Sequence, residues 1–388
     1  MYTIYDKMRS EIASLWYVST NREGENDLII KAPTPTIKAL IVGCPMQLIF
    51  GKKDSYLCIG ARINDMPDTP ALISRAQIKL QEHSSLISLM KNKKFNVFLY
   101  NEMDICVASA SAEIANDQSL DFLEFIQETT SFYVGKSDDN VSHAVDCFVF
   151  SIDNTRLFPD AHKIPIIEIC PIIKSWDTNN IYFLYDDSCY DINISNEYEG
   201  ANFEKTIWAS LKSVFPSTLH KSPEVDCGNK KREFTDVFAY YEYGSFIIET
   251  KDLSVIQAGY DKNELKRVSG IQKQVDKAIK QLIGATKNFK HDARLLDANG
   301  NEISVDRSIP PHCIVLITEL MTAGNWDAIT EQLLNAIDET GAFFHILDLR
   351  ELITLLNQSS GDPKLIDYNL MQRCKLCMEK KSILVRGI

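Results

Sequence analysis

Apolar positions along this chain recur with two periods, and where the period changes marks where the fold changes. Between residues 38 and 110, short apolar runs of strand length lie between turn residues: KALIVG, MQLIFG, YLCIGARI and FNVFLYN, with Ile105 to Ala108 adding another. Residues 1–20 read as a short amphipathic helix and the polar, proline-bearing 21–37 as a loop. LDFLEFIQETTS, 120–131, has helical spacing. AVDCFVFSI, IPIIEICPII, IYFLYDD and YDINIS return the pattern to strands over 144–195. Such a half predicts an α+β fold with much antiparallel sheet.

SNEYEGAN, near 195–200, interrupts the pattern and predicts a boundary, giving domains 1–197 and 198–388. After it, NFEKTIWASLKSVF (202–215) places Phe203, Ile207, Leu211 and Val214 on one helical side, with Gly200 and Asn202 as start signals. Then come a hairpin ending at Lys251, a helix over 269–287 with Ile271, Val275, Ile279 and Leu282 as its stripe, and a hairpin over 294–305 with Asn299-Gly300 at its turn. CIVLITEL and FFHILDL read as buried strands, DAITEQLLNAID and LRELITLLNQ as the helices that follow them, and 366–381 as a closing helix. Strands alternating with helices predict a mixed α/β sheet flanked by helices.

Composition narrows the function classes. The 388 residues are 45% hydrophobic and 24% charged, enough for substantial cores without metals or disulfides. A net charge of −12 excludes a general nucleic-acid coating protein. Charge is nevertheless uneven: Lys262, Lys266, Arg267, Lys273, Lys277, Lys280, Lys287, Lys290 and Arg294 face only Glu264, Asp276 and Asp292 over 262–294. A phosphate backbone would be held by such a stretch. Most of the ten cysteines, Cys170 and Cys313 among them, sit in or beside apolar runs and read as buried, reduced thiols. No apolar leader or membrane-length run stands out, so the expected home is a reducing cytoplasm and no membrane partner is expected.

The chemistry concentrates in KREFTDVFAYYEYGSFIIETK, residues 231–251. Asp236 opens one apolar run, and a second ends in Glu249-Thr250-Lys251. Alternation on a strand turns Glu249 and Lys251 the same way. Mg²⁺ prefers oxygen ligands, which Asp236, Glu249 and the strand-end carbonyl of Ile248 can supply. Lys251 can then position a water or offset negative charge on a phosphoryl group. The bland alternative is an ordinary ion pair at the end of a strand.

These residues resemble the pattern of the PD-(D/E)XK nuclease superfamily, particularly its NERD and Mrr-like branches: an Asp, a hydrophobic hairpin, Glu-x-Lys, then a helix with a polar Gln or Lys. Thr235 stands before Asp236 where many members have proline. The resemblance spans roughly 198–300 and implies a restriction-endonuclease-like fold and a Mg²⁺-dependent endonuclease, with Mn²⁺ as a substitute. It implies metal binding by Asp236 and Glu249, with Glu204 of the preceding helix as a further acid, and assistance by Lys251 and Gln281. Lys273, Lys277 and Lys280 would lie along the nucleic acid, DNA rather than RNA. It also implies a dimer or higher oligomer and a setting in restriction or antiphage defence, with residues 1–197 in recognition, regulation or assembly. An inactive nucleic-acid-binding or regulatory subunit with the same fold is the competing expectation.

Other motifs carry less. Cys374-Lys-Leu-Cys377 lacks a second ligand pair and reads as helix packing. The seven histidines form no HxxxH or HExxH pair, and His312 and His345 read as strand-border packing residues. Tyr240, Tyr241 and Tyr243 read as packing residues before base-stacking ones.

Overall fold

The computed structural model describes residues 4–20, 25–127, 131–156, 158–185, 188–226, 230–253 and 255–385. Two compact units divide the chain: 1–181 with 193–195 and 258–261, and 182–192 with 196–257 and 262–388. The boundary expected after residue 197 is therefore an exchange of short segments rather than one cut. Both units mix helices and sheets, as the α+β and α/β patterns predicted.

The first unit runs α1 (Ile4–Ser10), β1 (Ser14–Ser19), β2 (Asn26–Lys31), α2 (Thr34–Ile41), β3 (Met46–Lys53), β4 (Tyr56–Ile63), β5 (Ala71–Gln77), α3 (Leu80–Asn92), β6 (Lys94–Tyr100), β7 (Cys106–Glu113), α4 (Asn116–Gln127), α5 (Asp139–Ile152), β8 (Ile166–Ile169), β9 (Ile172–Ile173) and β10 (Asp177–Thr178). One sheet has the order β1-β2-β6-β7-β10, with β9 also on β7; a second is β5-β4-β3-β8.

Several expectations fail here. The single helix over 1–20 is α1 followed by β1, and the loop over 21–37 contains β2 and the start of α2. KALIVG is helical because Pro35 supplies a helical φ at the first turn and Ile37, Ala39 and Leu40 all find buried surroundings. AVDCFVFSI is helical too. Asp138 caps α5, accepting from the Val141 amide at 2.9 Å, and Val141, Ala144, Cys147 and Phe148 bury one face. The missed signal is the polar run before it, whose carboxylate outweighs the strand preference of Val and Phe. Phe148 reaches the sheet only because β3 carries Gly51: a Cβ there would lie 2.3 Å from the ring.

In the second unit β11 (Asn180–Tyr185) pairs with β12 (Ser188–Asn193). There follow α6 (Glu199–Lys212), β13 (Leu219–Lys221), β14 (Glu224–Asp226), β15 (Lys231–Glu233), β16 (Val237–Tyr241), β17 (Gly244–Lys251), α7 (Val255–Ala258), α8 (Glu264–Lys290), β18 (Arg294–Leu296), β19 (His312–Ile317), α9 (Asp327–Thr340), β20 (Phe343–Asp348), α10 (Leu349–Gln358) and α11 (Pro363–Lys380). The main sheet has the order β13-β16-β17-β19-β20. β16 is antiparallel to both neighbours, whereas β17, β19 and β20 are parallel. Phe246, Ile248, Ile314 and Leu316 pack against α6, α10 and α11 on one face. On the other face Phe289 of α8 meets Phe238, and Thr286 meets Cys313. The sheet thus has helices on both faces, as a parallel segment requires.

Cys44, Cys58, Cys147, Cys313, Cys374 and Cys377 are buried thiols. Cys170 is exposed instead, because β8 sits at the edge of its sheet and the chain leaves it there. Cys227 lies outside the described residues. Cys374 and Cys377 pack on one side of α11, and burial raises both thiols' pKa, that of Cys374 to about 11.

Candidate functional site at the rim of the second sheet

The register of one hairpin assembles the site. Val237 pairs with Ile248, which puts Asp236, one residue before β16, across from Glu249 at the end of β17. Phe246 and Ile248 occupy the face covered by α6, α10 and α11. Alternation turns Ile247, Glu249 and Lys251 to the α8 side.

Three of the expected side chains converge. Lys251 Nζ lies 3.0 Å from Glu249 Oε2 and 3.7 Å from Asp236 Oδ2. Glu249 is only 3% exposed. Its pKa is raised to about 7: burial is the chief cause, the Asp236 carboxylate adds to it, and the Lys251 ammonium opposes both. Asp236 is held by Thr250, whose amide donates to Oδ2 at 2.6 Å and whose hydroxyl does so at 3.0 Å. Thr250 went unnoticed in the sequence because its side chain points away from the Glu-x-Lys pair; only the hairpin brings Asp236 to it.

Glu204, from α6, is half-buried and electrostatically coupled to the cluster. Burial raises its pKa first and Asp236 next, while Lys221 and Lys251 lower it. Its electrostatic link to the cluster runs through Asp236 and Lys251.

Two expected members differ. The Ile248 carbonyl is not an unpartnered strand end: the Thr235 hydroxyl donates to it at 2.7 Å. One lone pair is therefore used, because Thr235 stands where a proline would have carried no hydroxyl. Gln281 is exposed on α8, whose buried stripe of Ile271, Val275, Ile279 and Leu282 faces the sheet. Among the described residues, no hydrogen bond joins it to Asp236, Glu249 or Lys251.

Lys273, Lys277 and Lys280 form an exposed basic face of α8. It is weaker than the sequence tally suggested. Lys280 pairs with Asp276 at 2.7 Å, Lys287 with Glu339 at 2.5 Å, and Arg267 is buried. Tyr240 stacks on His220, and Tyr241 stacks on Phe246 while bonding Asp367, so both are packing residues; Tyr243 is exposed over Lys364. His312 and His345 are buried partners, 3.0 Å apart, with Asp367 on the far nitrogen of His312.

The donor chemistry suits a hard cation. Two carboxylates that share one ammonium, with a third acid nearby and one acid's pKa raised toward neutrality, form an oxygen-rich site short of positive charge. No known protein family, curated protein or solved structure matches the chain. Fold and site together define a mixed α/β protein with a carboxylate–lysine cluster at a sheet's rim, and no helix among the described residues is long and apolar enough to cross a membrane.

Proposed function

We propose that the chain is a metal-dependent endonuclease of the PD-(D/E)XK type with a restriction-endonuclease-like second unit, acting on DNA rather than RNA. The convergence of Asp236, Glu249 and Lys251 carries this reading, since an ordinary strand-end ion pair needs one carboxylate, and here a buried Glu249 shares Lys251 with Asp236. Asp236 and Glu249 would hold Mg²⁺ or Mn²⁺, with Glu204 as the outer acid. The ion, when bound, supplies Lewis-acid polarisation of a phosphoryl oxygen and a more acidic water. Thr250 fixes the rotamer of Asp236. Lys251 would offer its ammonium to the growing negative charge on the phosphate. Lys273 and Lys277 would hold the nucleic-acid backbone as point charges. Cutting both strands calls for two such sites, hence a dimer. Restriction or antiphage defence is the setting this activity fits.

A second reading has its own support. Lys251 already pairs with both acids, and Thr235 already uses the Ile248 carbonyl. The cluster would then be a structural remnant in a non-catalytic nucleic-acid-binding or regulatory subunit. One experiment separates the two. Linear, circular and single-stranded DNA and RNA are incubated with the protein in Mg²⁺, Mn²⁺ or chelator, beside Lys251→Ala and Asp236→Ala. The enzyme reading expects metal-dependent cutting of DNA, lost in both variants, and calorimetric metal binding lost in Asp236→Ala. Nucleic acid bound but uncut under every condition supports the second reading.

A further inference from the structure

A different cluster of metal-ligating side chains lies in the first unit. His143 and Cys147 are one turn apart on α5, so their side chains share a face. The segment after the helix brings His162 to the same place. Cys147 Sγ is 3.7 Å from His143 Nε2 and 3.7 Å from His162 Nδ1, and all three atoms lie within 4.8 Å of one another. We propose that His143, Cys147 and His162 bind one transition-metal ion, Zn²⁺ by the chemistry of the set, with a solvent molecule as fourth ligand.

The spacing supports this. Zn–S bonds of about 2.3 Å and Zn–N bonds of about 2.0–2.1 Å at tetrahedral angles put sulfur about 3.6 Å from nitrogen. Both sulfur–nitrogen distances fall at that value. A thiol has one proton to give, so on its own it can donate to only one of the two imidazoles; an ion satisfies all three atoms at once. Imidazole and thiolate donors suit Zn²⁺ and not Mg²⁺, so this site and the carboxylate cluster select different ions.

The three ligands are placed without the ion's help. Cys147 is fully buried, in the cluster that includes Cys58, Phe148 and Ile164. Ser151 donates to the Cys147 carbonyl at 2.7 Å and accepts from the Ile164 amide at 2.8 Å, which ties the His162 segment to α5. His143 is half-buried and His162 exposed, so the sulfur side is dry and the opposite side opens to water. That leaves a coordination position for solvent, as in zinc sites with three protein ligands.

The test uses the full chain, stripped with chelator and titrated with Co²⁺ and then Zn²⁺, with Mg²⁺ in excess to occupy the carboxylate cluster. The expected result is one Co²⁺ per chain, with a sulfur-to-cobalt absorption band in the near ultraviolet that Zn²⁺ abolishes. Both the band and the stoichiometric ion should be lost in His162→Ala, an exposed position where folding is unaffected, and in Cys147→Ser. They should persist in Cys58→Ala and in Cys374→Ser. Absence of the band, its survival in His162→Ala, or its loss in Cys374→Ser overturns the proposal. None of these readouts depends on nuclease activity.

Discussion

Glu249 is the residue whose environment makes the sharpest statement. Burial chiefly, and Asp236 next, move its pKa from 4.5 to about 7. The native state therefore keeps a proton that the unfolded chain has already released. By linkage, this group's contribution to stability falls as pH rises from about 4.5 to about 7 and stays low above that. Glu249→Gln removes the titration. Chemical denaturation should find the variant more stable than the parent at pH 8, by on the order of 2–3 kcal/mol, and level with it near pH 4. Saturating Mg²⁺ should erase the advantage by stabilising the parent alone. A variant that is less stable at pH 8 would mean the ionised carboxylate is a net asset to the fold. At this scale the sequence was informative: Asp236, Glu249 and Lys251 were legible because a charged group ending an apolar strand has no cheap environment. Thr235 and Thr250 were not, since a hydroxyl's partner across a hairpin depends on register.

At the scale of elements, two helices decide what the units can do. α5 lies against the sheet where Gly51 leaves room for the Phe148 ring. Gly51→Ala should lower stability by about 1–3 kcal/mol through overpacking, and Phe148→Leu should recover part of it, measured by urea titration of the single and double variants. On α8, Lys273 and Lys277 are exposed and Lys280 is paired with Asp276. Replacing Lys273 and Lys277 together by Glu should weaken nucleic-acid binding and flatten its dependence on log salt by about 2 if both meet phosphates. An unchanged slope would move the backbone path to another surface. The second unit's longer elements were legible, because their caps and apolar periods agree: Asp348 caps α10 by accepting from the Glu351 amide at 2.8 Å, and Gly341 closes α9 at φ 60°; the three-residue strands β13, β14 and β15 and the four-residue α7 were too short to carry a period. KALIVG and AVDCFVFSI were misread, because short β-branched runs carry both periods and burial arbitrates.

For the molecule as a whole, the proposed cleavage of both strands expects a mass by light scattering of about twice 44.0 kDa. A monomer that only nicks circular DNA would leave the chemistry intact and remove the dimer. The sequence alone determined the alternation of strands and helices after residue 197, the acid–lysine pattern at 236–251 and the buried character of most cysteines, because each follows from neighbours along the chain. Only tertiary structure decided that Thr235 closes the Ile248 carbonyl, that Gln281 faces water, that the basic stretch is partly spent on Asp276 and Glu339, and that His162 meets His143 and Cys147. Those outcomes depend on which surfaces meet after the chain has turned back on itself, and a one-dimensional pattern does not encode distances between residues that far apart.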